Sequence, residues 1–170
     1  MSDFKAFDDK LAALLASLSP ANRRQMAAEI AKRLRASQQQ RIKRQQAPDG
    51  SPYAGRKRQP IKGKKGRVKR EMFAKMRTAR YLKAKGSGDA ATVEFAGKVQ
   101  RIARIHQEGL KDRPNRHSQP VQYEARPLLR FSAADRKVVE DVIISQLMKE
   151  RSQWVLYSAR LILIDGMIND

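Results

Sequence analysis

Three observations predict an α+β fold: apolar residues at helical spacing toward both ends, a short alternating run between them, and turn chemistry separating the two. Phe4, Phe7, Leu11, Leu14, Leu15 and Leu18 fall on one face at helical spacing. Val138, Val139, Val142, Ile143 and Leu147 do the same near the other end, while Thr92-Val93-Glu94-Phe95 alternates as a half-buried strand does. The expected architecture is N-terminal helices, a small antiparallel sheet, a long basic loop and a C-terminal helix packed on the sheet. With 170 residues the chain has length for one core, so a single domain over 1–170 is expected.

The first helix spans Phe4 to Leu18. Ser19-Pro20 then reads as an N-cap followed by proline at the first helical position, where its missing N–H is no loss. Met26, Ile30 and Leu34, four apart, form the buried stripe of a longer second helix that runs on through Ser37-Gln38-Gln39-Gln40-Arg41. There the stripe fades to Ile42 alone, so this end is expected to project into solvent or to meet another subunit through its glutamines. Ala47-Pro48-Asp49-Gly50-Ser51-Pro52 is strong turn chemistry and ends the helix. Residues 47–68 form a flexible basic loop, with only Tyr53, Ala54 and Ile61 to pack. Met72, Phe73, Met76 and Leu82 predict a short amphipathic helix between Lys69 and Lys83, broken by Gly86-Ser87-Gly88-Asp89.

After the strand, Gly97-Lys98 suits a hairpin turn into residues 99–105. Val99, Ala103 and Ile105 of that run fit a strand, whereas Val99, Ile102 and Ile105 or His106 fit a helix. Leu110 to Pro120 reads as a polar loop. Gln122 to Phe131 reads as extended, because proline at 127 turns Arg126 away from the helical region. Ser132-Ala133-Ala134-Asp135 is a capping box ahead of the C-terminal helix. Residues 151–170 form an apolar extension whose run Trp154 to Ile168 fits neither period cleanly. It is either a last helix or strand on the core, or a surface that needs a partner.

Charge narrows the function. The chain has 37 basic and 17 acidic residues, a net +20. Fourteen of those bases and one acid, Glu71, fall between Arg56 and Lys85, a local +13. Such a block is too costly to bury and too self-repulsive to fold without a polyanionic neighbour. Arg56, Lys57, Arg58, Lys62, Lys64, Lys65, Arg67, Lys69 and Arg70 are the candidate contacts, either to DNA phosphates or to an acidic protein. Phe73 and Tyr81 are the block's only aromatics, so base stacking is poorly served. No helix-turn-helix or zinc-finger spacing appears, which points away from sequence-specific readout.

Catalysis is not expected. The chain has two histidines and no cysteine. His106, Glu108, Asp112 and His117 match no metal-ligand spacing. Gly63-Lys64-Lys65-Gly66 lacks the spacing of a phosphate loop, and no nucleophile elbow is present. No enzyme, metal or cofactor is therefore expected. The start of the chain lacks a basic segment leading into an apolar run. The longest apolar stretch, Trp154 to Ile164, is interrupted by Ser158 and Arg160, so no membrane association is expected.

Several separated features together resemble the virion morphogenesis or tail-completion family of temperate, contractile-tailed phages. They are Ser37-Gln-Gln-Gln-Arg41 leading into Gln46-Ala-Pro-Asp-Gly50, then Arg70-Glu-Met-Phe-Ala-Lys-Met-Arg77, Arg104-Ile-His-Gln-Glu-Gly109 and Ala125-Arg-Pro-Leu-Leu-Arg130. Their order and spacing cover Phe4 to Lys149; Glu108 departs from the pattern, where the family commonly has an aromatic residue. The resemblance implies a non-enzymatic structural protein that caps the tail tube or sheath and makes the tail competent to join a filled head. It implies a ring matching the sixfold tail, with itself, tube, sheath and neck proteins and passing double-stranded DNA as partners. Its place would be the virion tail or neck, after assembly in the host cytoplasm. Asp49, Gly50, His106, Gln107, Gly109, Arg126 and Pro127 would then define the fold. A free-standing, nonspecific nucleic-acid-binding protein that uses residues 56–85 is the rival reading.

Overall fold

A computed structural model describes residues 15–56, 71–88 and 90–168, together with 5, 9, 12 and 13; for 153–168 it describes the backbone. In chain order the elements are helix α1 (Pro20–Lys43), strands β1 (Leu82–Gly86) and β2 (Ala91–Phe95), helix α2 (Val99–Glu108), short strands β3 (Lys111–Asp112) and β4 (Val121–Gln122), and helix α3 (Ala133–Ile168). The strands form two antiparallel two-stranded sheets, β1 with β2 and β3 with β4. The fold is α+β, with helices outweighing the sheets. Of the first expected helix, residues 5, 9, 12, 13 and 15–17 are helical, while Phe4, Phe7, Leu11 and Leu14 lie outside the described residues.

α1 starts as its sequence dictates. Ser19 Oγ accepts from the Asn22 N–H at 3.2 Å, and Pro20 follows the cap. Its buried positions are Ala27, Ile30, Ala31, Leu34, Gln38, Arg41 and Ile42, one stripe at spacings of three and four. That stripe corrects the sequence expectation for the polar end. Gln38 and Arg41 do not project into solvent but continue the buried face; Arg41 finds partners in distant parts of the chain, while Gln38 Oε1 is buried with no hydrogen-bond partner among the described residues.

The helix ends in a Schellman arrangement. The Gln46 N–H reaches Arg41 O at 3.2 Å and the Gln45 N–H reaches Ile42 O at 3.0 Å. Gln45 itself takes the left-handed conformation, φ 59°, at the position where glycine is usual.

Residues 72–86 are a second correction. Instead of an amphipathic helix they form turns followed by β1. Phe73 has φ 62°, which a right-handed helix cannot contain. Leu82 lies opposite Phe95 and is fully buried. Gly86, expected to break a helix, has a different task. A Cβ there would lie 2.2 Å from Ala28 N and 2.5 Å from Ala28 Cα, so glycine is what lets α1 cross the hairpin so closely.

Residues 99–105 belong to helix α2. Gly97, φ 62°, makes the turn, but it feeds a helix and not a second hairpin strand. α3 opens on the capping box: Ser132 N–H donates to Asp135 Oδ2 at 2.9 Å, and Asp135 N–H to Ser132 Oγ at 3.2 Å. It then runs without a break, so 154–168 continue this helix.

Two apolar clusters hold the elements together. One gathers Ile42, Ala47, Tyr53, Met72, Met76, Leu82, Phe95, Ala103 and Leu128 around the end of α1. The other joins Ile30 and Leu34 of α1 to Val142 of α3, with Ala91 and Val93 of β2 against it. The C-terminal helix thus reaches the sheet mostly through α1.

Candidate functional site

Segment 57–70, the centre of the basic block, lies outside the described residues. Lys57, Arg58, Lys62, Lys64, Lys65, Arg67, Lys69 and Arg70 lie within it, whereas Arg56 is described and exposed. The structure does describe both roots from which that segment departs, and each is clamped by a long polar side chain.

The first root is fastened by Arg126. This side chain is 6% exposed and donates to three carbonyls: Nε to Ala54 O at 2.8 Å, Nη2 to Gly55 O at 3.0 Å and Nη1 to Glu124 O at 3.2 Å. The planar guanidinium suits this task because its donors are fixed in one fork. The Arg126 N–H itself donates to His106 O at 2.6 Å. One residue further, Pro127 O accepts from the buried Tyr53 hydroxyl at 3.1 Å. Desolvation pushes the Tyr53 phenol up to about 12, with Arg41 pulling the other way, so it stays protonated and able to donate.

The second root is fastened by Gln45. Its amide Nε2 donates to Met72 O at 3.0 Å and its Oε1 accepts from the Met72 N–H at 2.9 Å. Nε2 also donates to Ile42 O at 2.7 Å, and Gln45 O accepts from the Tyr53 N–H at 2.8 Å. These bonds hold a non-glycine residue in a conformation that costs about 1 kcal/mol or more. Beside this root, Arg77 Nη2 pairs with Glu71 at 2.8 Å.

A ladder of aromatic rings lies between the roots. Tyr53, Phe73, His106 and Tyr123 meet edge to face, with successive centroids 6.0, 5.0 and 4.9 Å apart. His106 sits mid-ladder, and its Nδ1 is buried without a hydrogen-bond partner among the described residues. Burial lowers its pKa, and Arg126 and Arg56 push the same way. The neighbouring Gln107 Oε1 accepts from the Leu129 N–H at 3.0 Å. Gly109 closes α2 at φ 66°, where a Cβ would come within 3.0 Å of Ala125 N.

His106, Gln107, Gly109, Arg126 and Pro127, seventeen or more residues apart in two groups, are therefore neighbours beside the basic segment's first root. Asp49 and Gly50 form the turn before it. Asp49 Oδ1 accepts from the Ser51 hydroxyl at 2.6 Å and the Ser51 N–H at 2.9 Å, which holds the carboxyl below its ordinary range, and Gly50 adopts φ 85°.

A further network, not foreseen from sequence, supports this region from below. Asp135, fully buried, receives Arg41 Nη1 at 2.8 Å, Ser37 Oγ at 2.5 Å and Ser132 Oγ at 2.8 Å. Arg41 also reaches Leu128 O at 3.3 Å and Arg130 O at 2.9 Å. Burial alone would raise the Asp135 pKa, but the bonds from Ser37, Ser132 and Arg41 prevail and hold it below the usual carboxylate value. The capping box was legible in the sequence, whereas its pairing with Ser37 and Arg41 nearly a hundred residues earlier was not. Gln45 carried no signal beyond its glutamine-rich surroundings.

Among the described residues no group of three or more His, Asp or Glu side chains is placed to hold a metal ion. No helix among them is long and apolar enough to cross a membrane.

Residues 2–148 match the model of the phage virion morphogenesis family. The chain belongs to this family. A relative within it is tail completion protein S of Escherichia phage P2, 47% identical over 148 residues, which is 86% of this chain and 99% of that protein. No solved structure matches. Both clamps, the ring ladder and the Asp135 network lie inside the part shared with the virion morphogenesis family. The family match stops at residue 148, within α3, which continues to Ile168.

Proposed function

We propose that the chain completes the phage tail: a structural, non-enzymatic protein at the tail end or neck that makes the tail competent to join a filled head. The observation that carries this reading is the 47% identity to a tail completion protein along nearly that protein's whole length. The anchored basic segment supports it. Arg126 and Gln45 hold its two roots, so a rigid body displays the charge of residues 56–85 toward a partner. We read 1–170 as one domain with 47–68 as the basic loop and 151–170 as an apolar extension, assembled into a sixfold ring in the virion. Arg56, Lys57, Arg58, Lys62, Lys64, Lys65, Arg67, Lys69 and Arg70 would face passing double-stranded DNA or an acidic surface of a tube, sheath or neck protein. Asp49, Gly50, His106, Gln107, Gly109, Arg126 and Pro127 would shape the body that presents them.

The test is removal of the gene from the phage that encodes it. The expected result is DNA-filled heads and unjoined tails side by side in electron micrographs, with joining restored when the purified protein is added. Normal joined particles without the protein would overturn the role. The local +13 favours a second reading, nonspecific binding to free nucleic acid. In that case the isolated chain retains duplex DNA at low salt and releases it steeply as salt rises, and gene removal leaves head–tail joining intact.

A further inference from the structure

The β1–β2 hairpin leaves one edge unused. At the two ends of its ladder, Tyr81 O accepts from the Ala96 N–H at 2.8 Å and Ala90 O from the Ser87 N–H at 2.8 Å. Bonded pairs alternate along an antiparallel ladder, so Lys83–Glu94 and Lys85–Thr92 are the bonded pairs in between. Ala91, Val93 and Phe95 therefore point their N–H and C=O groups away from β1. No described group bonds them, and among the described residues β2 has no second neighbour in its sheet. A row of unpaired main-chain donors and acceptors is a template for a further strand.

A cavity of about 250 Å³ lies against this edge, lined by residues 91–93, by Leu34 and Gln38 of α1 and by residues 129–131. That is below the size of about 300 Å³ at which small-molecule sites begin, so it suits a side chain of an added strand better than a free ligand. Gln38 is 5% exposed, yet its Oε1 is buried without a partner and its Nε2 donates to no described group. A buried carboxamide is costly to leave unbonded. Gln45 shows what such a group does in this same chain: its Oε1 and Nε2 bond the N–H and C=O of Met72.

The strand edge and the unbonded carboxamide both call for the same ligand, an extended polypeptide main chain. Charge selects which one. Arg130 is the charged residue among those lining the cavity; it is exposed, and no carboxylate pairs with it among the described residues. A second copy would bring the same +20 and be repelled. We propose that the free edge of β2 takes an extended segment of a different, acidic protein as a third strand. Its main chain bonds Ala91, Val93 and Gln38, an apolar side chain enters the cavity, and its acids meet Arg130. The site uses none of residues 56–70 and stands whether or not the chain completes a tail.

The probe is a set of fluorescein-labelled peptides in which Glu or Asp alternates with Val, Ile, Leu or Phe. The controls are the same peptides with every amide N-methylated, which keep the charge but cannot pair with a strand edge. Anisotropy titrations against the full chain are expected to show saturable binding of the parent peptides and not of the controls. Gln38→Met and Ala91→Pro should each weaken that binding about tenfold. The Ala91 N–H takes no part in the hairpin's own ladder, so proline there spares the fold. Gln38→Met should also keep or raise the urea midpoint of the free chain, because it removes an unbonded buried amide; a merely structural Gln38 would lower it. Arg130→Glu should weaken binding as well. The proposal is overturned if no peptide binds, if the N-methylated controls bind equally well, or if Gln38→Met and Ala91→Pro bind as the parent does. It is also overturned if light scattering shows an oligomer that Ala91→Pro takes apart, since a second copy then fills the edge.

Discussion

Two stretches of the long helices, the C-terminal end of α1 and the first half of α3, invert what hydropathy alone would assign them. The end of α1, Ser37-Gln-Gln-Gln-Arg41, is polar in every residue, yet Gln38 and Arg41 are buried. In α3 the stretch around residues 144–148 carries Ile144 and Met148 into solvent, although both are apolar. The difference is one of partners. Arg41 finds Asp135 and two carbonyls inside the fold, so both terminal nitrogens are bonded, and only Nε is buried without a partner among the described residues. Ile144 and Met148 lie on the side of α3 away from α1, where no described part of the same chain covers them. Burial of a polar group depends on what it meets inside the fold, and exposure of an apolar group on what the fold leaves uncovered.

The largest expected effect comes from breaking the buried half of that contrast. Asp135→Asn or Arg41→Ala should each cost about 3–5 kcal/mol, because each leaves one charge buried without its counterpart. Urea unfolding of the purified variants measures this, and a loss below about 1 kcal/mol would mean that the pair is not held as described. Second comes Gly86→Ala. The new Cβ would press on the backbone of Ala28, which has no rotamer to yield, and a loss of about 3 kcal/mol is expected in the same assay.

Gln45 gives a finer test. Gln45→Ala keeps the left-handed backbone but removes the clamp on Met72, for a loss of about 2 kcal/mol. Gln45→Gly removes the clamp while relieving the backbone, so it should cost less than Gln45→Ala. The reverse order would show that the backbone strain at this position is negligible.

Acid titration separates two further groups by direction. His106 has a lowered folded pKa, so its contribution is complete above about 6.5 and is lost as pH falls from there toward the folded value. Asp135 also has a lowered folded pKa, and its contribution disappears only further down, as pH falls below about 3.9 toward its folded value. Denaturation midpoints followed against pH should therefore decline first in the histidine window, and His106→Gln should flatten that first decline alone. The smallest effect on stability belongs to the basic segment. Replacing Lys62, Lys64, Lys65 and Arg67 by glutamine should change stability by less than about 0.5 kcal/mol while impairing head–tail joining. An unfolded variant would place those side chains in the core.

Much of the fold was legible because local chemistry dictates it. The Ser19-Pro20 cap, the turn at Asp49-Gly50 and the Ser132–Asp135 box each close bonds within a few residues, and such bonds leave a sequence pattern. The failures share a cause as well. Residues 72–82 carry apolar spacing that suits a helix, but they became turns and a strand because Leu82 faces Phe95 and Phe73 turns left-handed beside His106. Arg126 was singled out by a family resemblance, but two of its three carbonyl partners lie 72 and 71 residues away, beyond any local pattern.

By itself, then, the amino-acid sequence determined the α+β class, the starts of the long helices and the concentration of positive charge between residues 56 and 85. These follow from spacing, capping and composition, which act over one or two helical turns. Tertiary structure alone decided that a polar helix end is interior, that a glycine serves a helix crossing, and that Arg126 and Gln45 clamp the two roots of the basic segment. Those outcomes depend on which distant groups arrive to satisfy a buried donor, acceptor or charge, and a buried polar group costs stability without such partners.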